Sequence, residues 1–140
     1  MRQDVVSEAR EWIGTPFKHQ HATKGQGCDC IGLVRGVYRE VTGAEAETPP
    51  PYSTTWIDRT RGEPLLDALG RNLVRVETIE PGDIVVFRMV RNRPAKHCAV
   101  VSNEDHVIHA YQSIGSVQET VLDEHWSSKI VGVFRFPDTE

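Results

Sequence analysis

The chain has 140 residues, of which 39% are hydrophobic and 26% charged, a size and mix that fit one folded domain and exclude a chain too polar to build a core. A net charge of −4, with lysine and arginine scattered apart from a short cluster at Arg88, Arg91, Arg93 and Lys96, argues against a nucleic-acid surface, and the cluster reads as a solvated loop. No apolar run approaches the roughly 18 residues of a membrane span, and the first ten residues carry Asp4 and Glu8 where a secretory signal would be apolar, so the expectation is no membrane span and no signal peptide.

Val5, Ala9, Trp12 and Ile13 recur at helical spacing after Asp4, a suitable cap, and Gly14, Thr15 and Pro16 end the pattern; this predicts a helix over about residues 3–13. Residues 17–27 are polar and hold Gly25 and Gly27, which reads as a loop. Cys30, Val34, Val37, Tyr38 and Val41 then line one helical stripe that closes at Gly43, so a second helix begins at or beside Cys30. Residues 44–62 contain Pro49, Pro50 and Pro51 and form a long surface connection, after which Pro64 suits the first turn of a short helix to about Leu69.

From Leu73 the period changes to that of strands. The segments are Leu73–Glu77, Ile84–Phe87 after the Pro81-Gly82-Asp83 turn, His97–Val101, His106–Tyr111, Val117–Leu122 and Ile130–Phe136. Helices first and strands afterwards predict an α+β fold in a single domain over residues 1–140, its N-terminal helices packed on a mainly antiparallel sheet of about five to six strands.

Cys28, Cys30 and Cys98 are odd in number and make a poor disulfide framework, so they read as free thiols. A thiol attacks as its thiolate, and a helix N-terminus supplies free N–H groups and the positive end of the dipole. Cys30 has that position, with Asp29 as the cap and with Gly27 and Gly32 expected to leave room for a substrate backbone. A small buried hydrophobe at a helix start is the alternative, and the histidines weigh against it. His97 opens one strand and His109 lies in the next. If a three- or five-residue loop joins them, paired positions have an even sum, so the two imidazoles share a face.

His97 would then take the thiol proton and return it to a leaving amine, and His109 would orient His97. Strand alternation points Cys98 away from His97 into packing, which also weakens a zinc site using both. Cys28 reads as a loop or packing cysteine. His19 and Gln20, ahead of the cysteine, are candidates for substrate contact, as is Asp29. Tyr52 and Trp56 in the proline-rich connection offer a docking or substrate edge, with core packing as the alternative.

Four segments, Gly27-Cys28-Asp29-Cys30-Ile31-Gly32-Leu33-Val34, Pro81-Gly82-Asp83-Ile84-Val85-Val86-Phe87, His97-Cys98-Ala99-Val100-Val101 and Ile108-His109-Ala110, together resemble the NlpC-type papain-like peptidases that cut bacterial cell-wall peptides. The resemblance implies Cys30 as nucleophile, His97 as base and His109 as the third polar residue, with no metal or organic cofactor. It implies cleavage of the γ-D-glutamyl to diamino acid amide in peptidoglycan stem peptides. Two positions depart from many relatives, with Ile31 where they carry Ser and Phe17 where they carry Tyr, so a hydroxyl that would contact substrate is absent at each. Trp12-Ile13-Gly14-Thr15-Pro16, Pro50-Pro51-Tyr52-Ser53 and the closing Gly132-Val133-Phe134-Arg135-Phe136-Pro137 are similar to the branch encoded with phage tails and gene transfer agents. That branch implies tail proteins as partners, synthesis in the bacterial cytoplasm, and action at the cell wall from a phage-like tail.

Overall fold

A computed structural model describes residues 2–47 and 62–137 of the chain. Tyr52 and Trp56, and with them the suggested docking edge, lie outside the described residues. The elements in chain order are α1 (Arg2–Glu11), the two-residue strands β1 (Ala22–Thr23) and β2 (Gly27–Cys28), α2 (Cys30–Thr42) and α3 (Pro64–Asn72). Strands β3 (Val74–Val76), β4 (Ile84–Phe87), β5 (His97–Asn103), β6 (His106–Ala110) and β7 (Val117–Val121) follow, then a short α4 (Glu124–Ser127) and β8 (Ile130–Arg135). No helix among the described residues is long and apolar enough to cross a membrane.

Each helix follows from its local chemistry. In α2 the Asp29 side chain accepts the Gly32 N–H, and Gly43 closes the helix at φ 76° with its N–H on the Arg39 carbonyl, as a left-handed C-terminal glycine does. Asp4 does not cap α1, which begins two residues earlier and takes that acidic side chain into its first turn. One turn beyond the predicted stop, α3 continues through Gly70, because the Leu73 N–H bonds the Leu69 carbonyl and Asn72 Nδ2 bonds the Ala68 carbonyl. The fully buried Trp12 packs against α2 at Gly36, where a Cβ would meet the indole ring, and its Nε1 donates to Glu8 at 2.9 Å.

All six strands of the main sheet pair antiparallel in the order β3-β8-β4-β5-β6-β7, which agrees with the predicted α+β architecture. Alternation sends Ile84, Val86, Cys98, Val100, Ile108 and Ala110 toward the helices and Val85, Phe87, Ala99, Val101 and Val107 to the opposite face. Both faces are therefore dry, which is why β4 and β5 read as continuous apolar runs. The second face is covered by Leu122, Trp126 and Ile130, and Trp126 comes from α4, an element that four polar-flanked residues do not announce.

The Pro81-Gly82-Asp83 turn is fixed by charge as well as by glycine. Asp83 is fully buried, and its carboxylate accepts two bonds from the Arg135 guanidinium at 2.8 and 2.9 Å and the Glu80 N–H at 2.8 Å, tying the start of β4 to the end of β8. Between β5 and β6 the connection is only Glu104 and Asp105, not the three or five residues expected, but a bulge between Val101 and Asn103 restores an even-sum register of Val100 with Ile108 and Val101 with Val107. His97 and His109 consequently project from one face.

Candidate active site

The N-terminus of α2 abuts the start of β5, and this junction collects the chemistry. Asp29 is 5% exposed; its Oδ1 accepts the Gly32 N–H and its Oδ2 the Gln20 N–H, both at 2.8 Å, with His19 Nδ1 at 3.9 Å from Oδ2. One carboxylate thus caps the helix that begins at Cys30 and folds the preceding loop onto that helix start. Gln20 is held there at φ 65°, with its backbone N–H on Asp29.

Gly32 and Gly27 do not leave room for substrate, contrary to the sequence expectation. A Cβ on Gly32 would run into the His21 carbonyl, and one on Gly27 would meet the Lys18 side chain within 2.9 Å, so the chain itself fills both spaces. Gly32→Ala is accordingly expected to cost ~1–3 kcal/mol by overpacking and to displace the Asp29 turn. Urea unfolding together with the alkylation rate of Cys30 checks this; a variant with unchanged stability would show that the loop yields freely.

The three thiols differ. Cys28 on β2 is fully buried, and burial pushes its thiol up to about 12, with the negative charges of Asp29 and Cys30 adding to the effect. Cys98 is 1% exposed and faces the helices, as alternation requires, but it is more than packing: its Sγ lies 3.6 Å from the Cys30 carbonyl oxygen and beside the Cys30 thiol. The hydrogen bond from Cys98 is the largest influence holding the Cys30 thiol well below the usual range; burial opposes it, and the hydrogen bond and charge of His97 add to it. In return Cys98 is held well above the usual range, by its bond to Cys30 and by burial, and remains the proton donor of the pair. When protonated, Cys30 can itself donate to the Lys96 carbonyl at 3.6 Å.

His97, 5% exposed, and the fully buried His109 join through His97 Nε2 and His109 Nδ1 at 2.8 Å, which leaves His97 Nδ1 for the thiol. His109 Nε2 continues the line to Thr120 Oγ1 at 3.0 Å. Burial, seconded by the charge of His97, pushes the His109 imidazole down to about 3, so it stays neutral at neutral pH. An aromatic shell surrounds the pair, with Trp126 5.7 Å from His97 and 5.2 Å from His109, Phe87 stacked 5.7 Å from His97, and Tyr111 5.1 Å from His97, ring centre to ring centre.

A cleft of about 390 Å³ opens over this line and is lined among others by Phe17, His19, Asp29, Cys30, Ile31 and His97. Four of the six residues proposed from sequence as catalytic or substrate-binding, Asp29, Cys30, His97 and His19, therefore reach the cleft wall; His109 stands behind His97, and Gln20 reaches Asp29 through its backbone. Thr120 and Trp126 escaped the sequence reading. The register of β6 with β7, in which His109 faces Gln118, makes Thr120 a diagonal neighbour of His109, and aligning those two strands would have found it. Trp126 had no comparable signal.

Comparison with known proteins agrees with this architecture. The chain is 28% identical over 94% of its length to the γ-DL-glutamyl hydrolase of Bacillus subtilis (strain 168), covering 29% of that protein. It is 22% identical over 92% of its length to the murein DD-endopeptidase MepS/murein LD-carboxypeptidase of Escherichia coli (strain K12), covering 60% of it, so it spans less than two thirds of either relative. The crystal structure of the NlpC/P60 domain of the peptidoglycan hydrolase SagA superposes with a TM-score of 0.66 at 21% identity, over 97% of this chain and 99% of that one. Residues 14–135 match the NlpC/P60 family, and the chain belongs to that family.

Proposed function

We propose that the chain is a cysteine peptidase that hydrolyses peptidoglycan stem peptides, with Cys30 as nucleophile, His97 as general base and acid, and His109 as the group that orients His97. The observation that carries the reading is the low-lying Cys30 thiol at the head of α2, set against an imidazole pair whose inner member, His109, stays neutral. The thiolate attacks the amide carbonyl carbon, and the Cys30 N–H, which as the first of its helix has no intrahelical partner, helps hold the oxyanion. The carbon–nitrogen bond breaks as His97 Nδ1 protonates the leaving amine. Water, deprotonated by His97, then opens the thioester and frees the carboxylate product and the thiol.

The bond assigned is the γ-D-glutamyl to diamino acid amide, supported by the resemblance of the Cys30 and His97 segments and by the names of the relatives, a γ-DL-glutamyl hydrolase and a murein endopeptidase. We place the protein in a phage-like tail, made in the cytoplasm and acting at the wall where DNA enters. This placement is supported by the similarity of residues 12–16, 50–53 and 132–137 to that branch. Digestion of purified muropeptides followed by mass spectrometry tests the activity. Release of a fragment ending in D-glutamate is the expected product. A transferred acyl group would indicate an acyltransferase, and no product at all would favour a tail adaptor that has kept the fold.

A further inference from the structure

We propose that Thr120 is a positioning residue for the hydrolysis: its hydroxyl fixes the tautomer of His109 and, through it, the tautomer of His97. The proposal rests on the reading of His97 as the base for Cys30. Two contacts in line carry it, from His97 Nε2 to His109 Nδ1 at 2.8 Å, and from His109 Nε2 to Thr120 Oγ1 at 3.0 Å, with His109 fully buried between its neighbours.

The proton count along this line has one solution that permits catalysis. To accept a proton on Nδ1, neutral His97 must keep its own proton on Nε2, and that N–H must donate to His109 Nδ1. A neutral imidazole has a single N–H, so His109 then carries its proton on Nε2 and donates it to an acceptor beyond. The acceptor in place is Thr120 Oγ1. With the polarity reversed, His109 would donate from Nδ1, His97 would be left with its proton on Nδ1 facing the thiol, and a base in that tautomer cannot take the thiol proton.

Through the whole cycle His97 gains and loses a proton only at Nδ1. Its Nε2–H, the His109 Nε2–H and the Thr120 contact are retained in every step, so Thr120 acts on the chemistry without touching substrate. The place of Thr120 in the fold suits this task. It stands on β7, diagonal to His109 across the β6–β7 pair, and Trp126 packs edge-on to the His109 ring at 5.2 Å, which confines the ring between the tryptophan and the strand. The hydroxyl is half-buried, so its own hydrogen can point outward while its oxygen accepts from His109.

Thr120→Val keeps the shape and removes the acceptor, whereas Thr120→Ser keeps the acceptor. The test combines steady-state kinetics on muropeptides with nitrogen-15 spectra of histidine-labelled protein, His109 being identified by its loss in His109→Asn. In the unsubstituted protein His109 is expected to carry its proton on Nε2. Thr120→Val should give a mixture of tautomers and a kcat lower by roughly tenfold or more with KM little changed, and Thr120→Ser should restore both. A side chain that served packing alone would alter the melting temperature and leave the tautomer where it was. An unsubstituted protein with His109 protonated on Nδ1, or a Thr120→Val variant with one Nε2–H tautomer and undiminished kcat, overturns the proposal. Failure of the hydrolase reading would look different, as absence of product from the unsubstituted protein, and the spectra would still decide the tautomer.

Discussion

Cys30→Ala should lose at least on the order of 10⁴-fold in turnover of muropeptides while folding as well as the parent chain. The side chain contributes little to packing that an alanine would not. It introduces a partly desolvated negative charge at the head of α2, so its removal leaves the melting temperature equal or raises it, as loss of a strained catalytic group often does. The same argument ranks the three thiols toward iodoacetamide. Cys30 lines the cleft as the low-lying thiol and should label first; Cys28 is fully buried with its thiol pushed up to about 12, and Cys98 is buried and holds its proton for Cys30.

Cys98→Ala adds a finer expectation. Loss of its hydrogen bond raises the Cys30 thiol, so alkylation of Cys30 should slow in mildly acidic buffer and recover as pH rises. Removing His97 should be nearly as damaging to turnover as removing Cys30, and His109→Ala should retain more activity than His97→Ala because His109 never exchanges a proton with substrate. Mass-spectrometric labelling and turnover of the variants provide the measurements. Fastest labelling at Cys28, or a competent Cys30→Ala, would assign the nucleophile elsewhere.

The line from Cys30 to His109 was legible in sequence because each member is tied to a local signal. The Asp29 cap and the Gly43 stop bracket α2 with Cys30 at its head, and the two strand periods around Asn103 put both imidazoles on one face. The face survived an error in loop length because a bulge compensates a two-residue turn, and period-two alternation admits only two outcomes. What was not legible depends on partners remote in the chain. Gly32 looks like space for a substrate until the His21 carbonyl is seen to fill it. The closeness of Cys98 to Cys30 follows from how α2 docks on β5, and strand alternation gives the face of Cys98 but not its neighbour. Trp126 sits on a four-residue helix too short for any periodicity, and only the packed sheet shows it covering both histidines.

Acid should destabilise the fold through His109, and the sign follows from the direction of its shift. The imidazole is pushed down to about 3 in the folded chain, by burial first and then by the charge of His97, against an ordinary value of 6.5. Below pH 6.5 the unfolded chain binds a proton that the folded chain refuses until about pH 3, so stability is full above the unfolded value and is lost progressively as pH falls through that window. The upper bound of that loss is on the order of 5 kcal/mol, a large part of the ~5–15 kcal/mol by which a domain of this kind is stable. The carboxylates of Glu47, Glu63 and Glu119, all held below their ordinary range, also contribute stability that disappears in acid, so a single acid titration does not isolate the histidine. His109→Asn does isolate it, because the amide keeps a polar group at the position and does not titrate, while every carboxylate is left in place. Urea unfolding from pH 7 to pH 4 should show the parent losing stability more steeply than the variant by several kcal/mol, even though the variant starts less stable at pH 7. Parallel loss in the two proteins would mean that His109 takes up its proton in the folded chain as readily as in the unfolded one, and once charged it cannot accept the Nε2–H of His97.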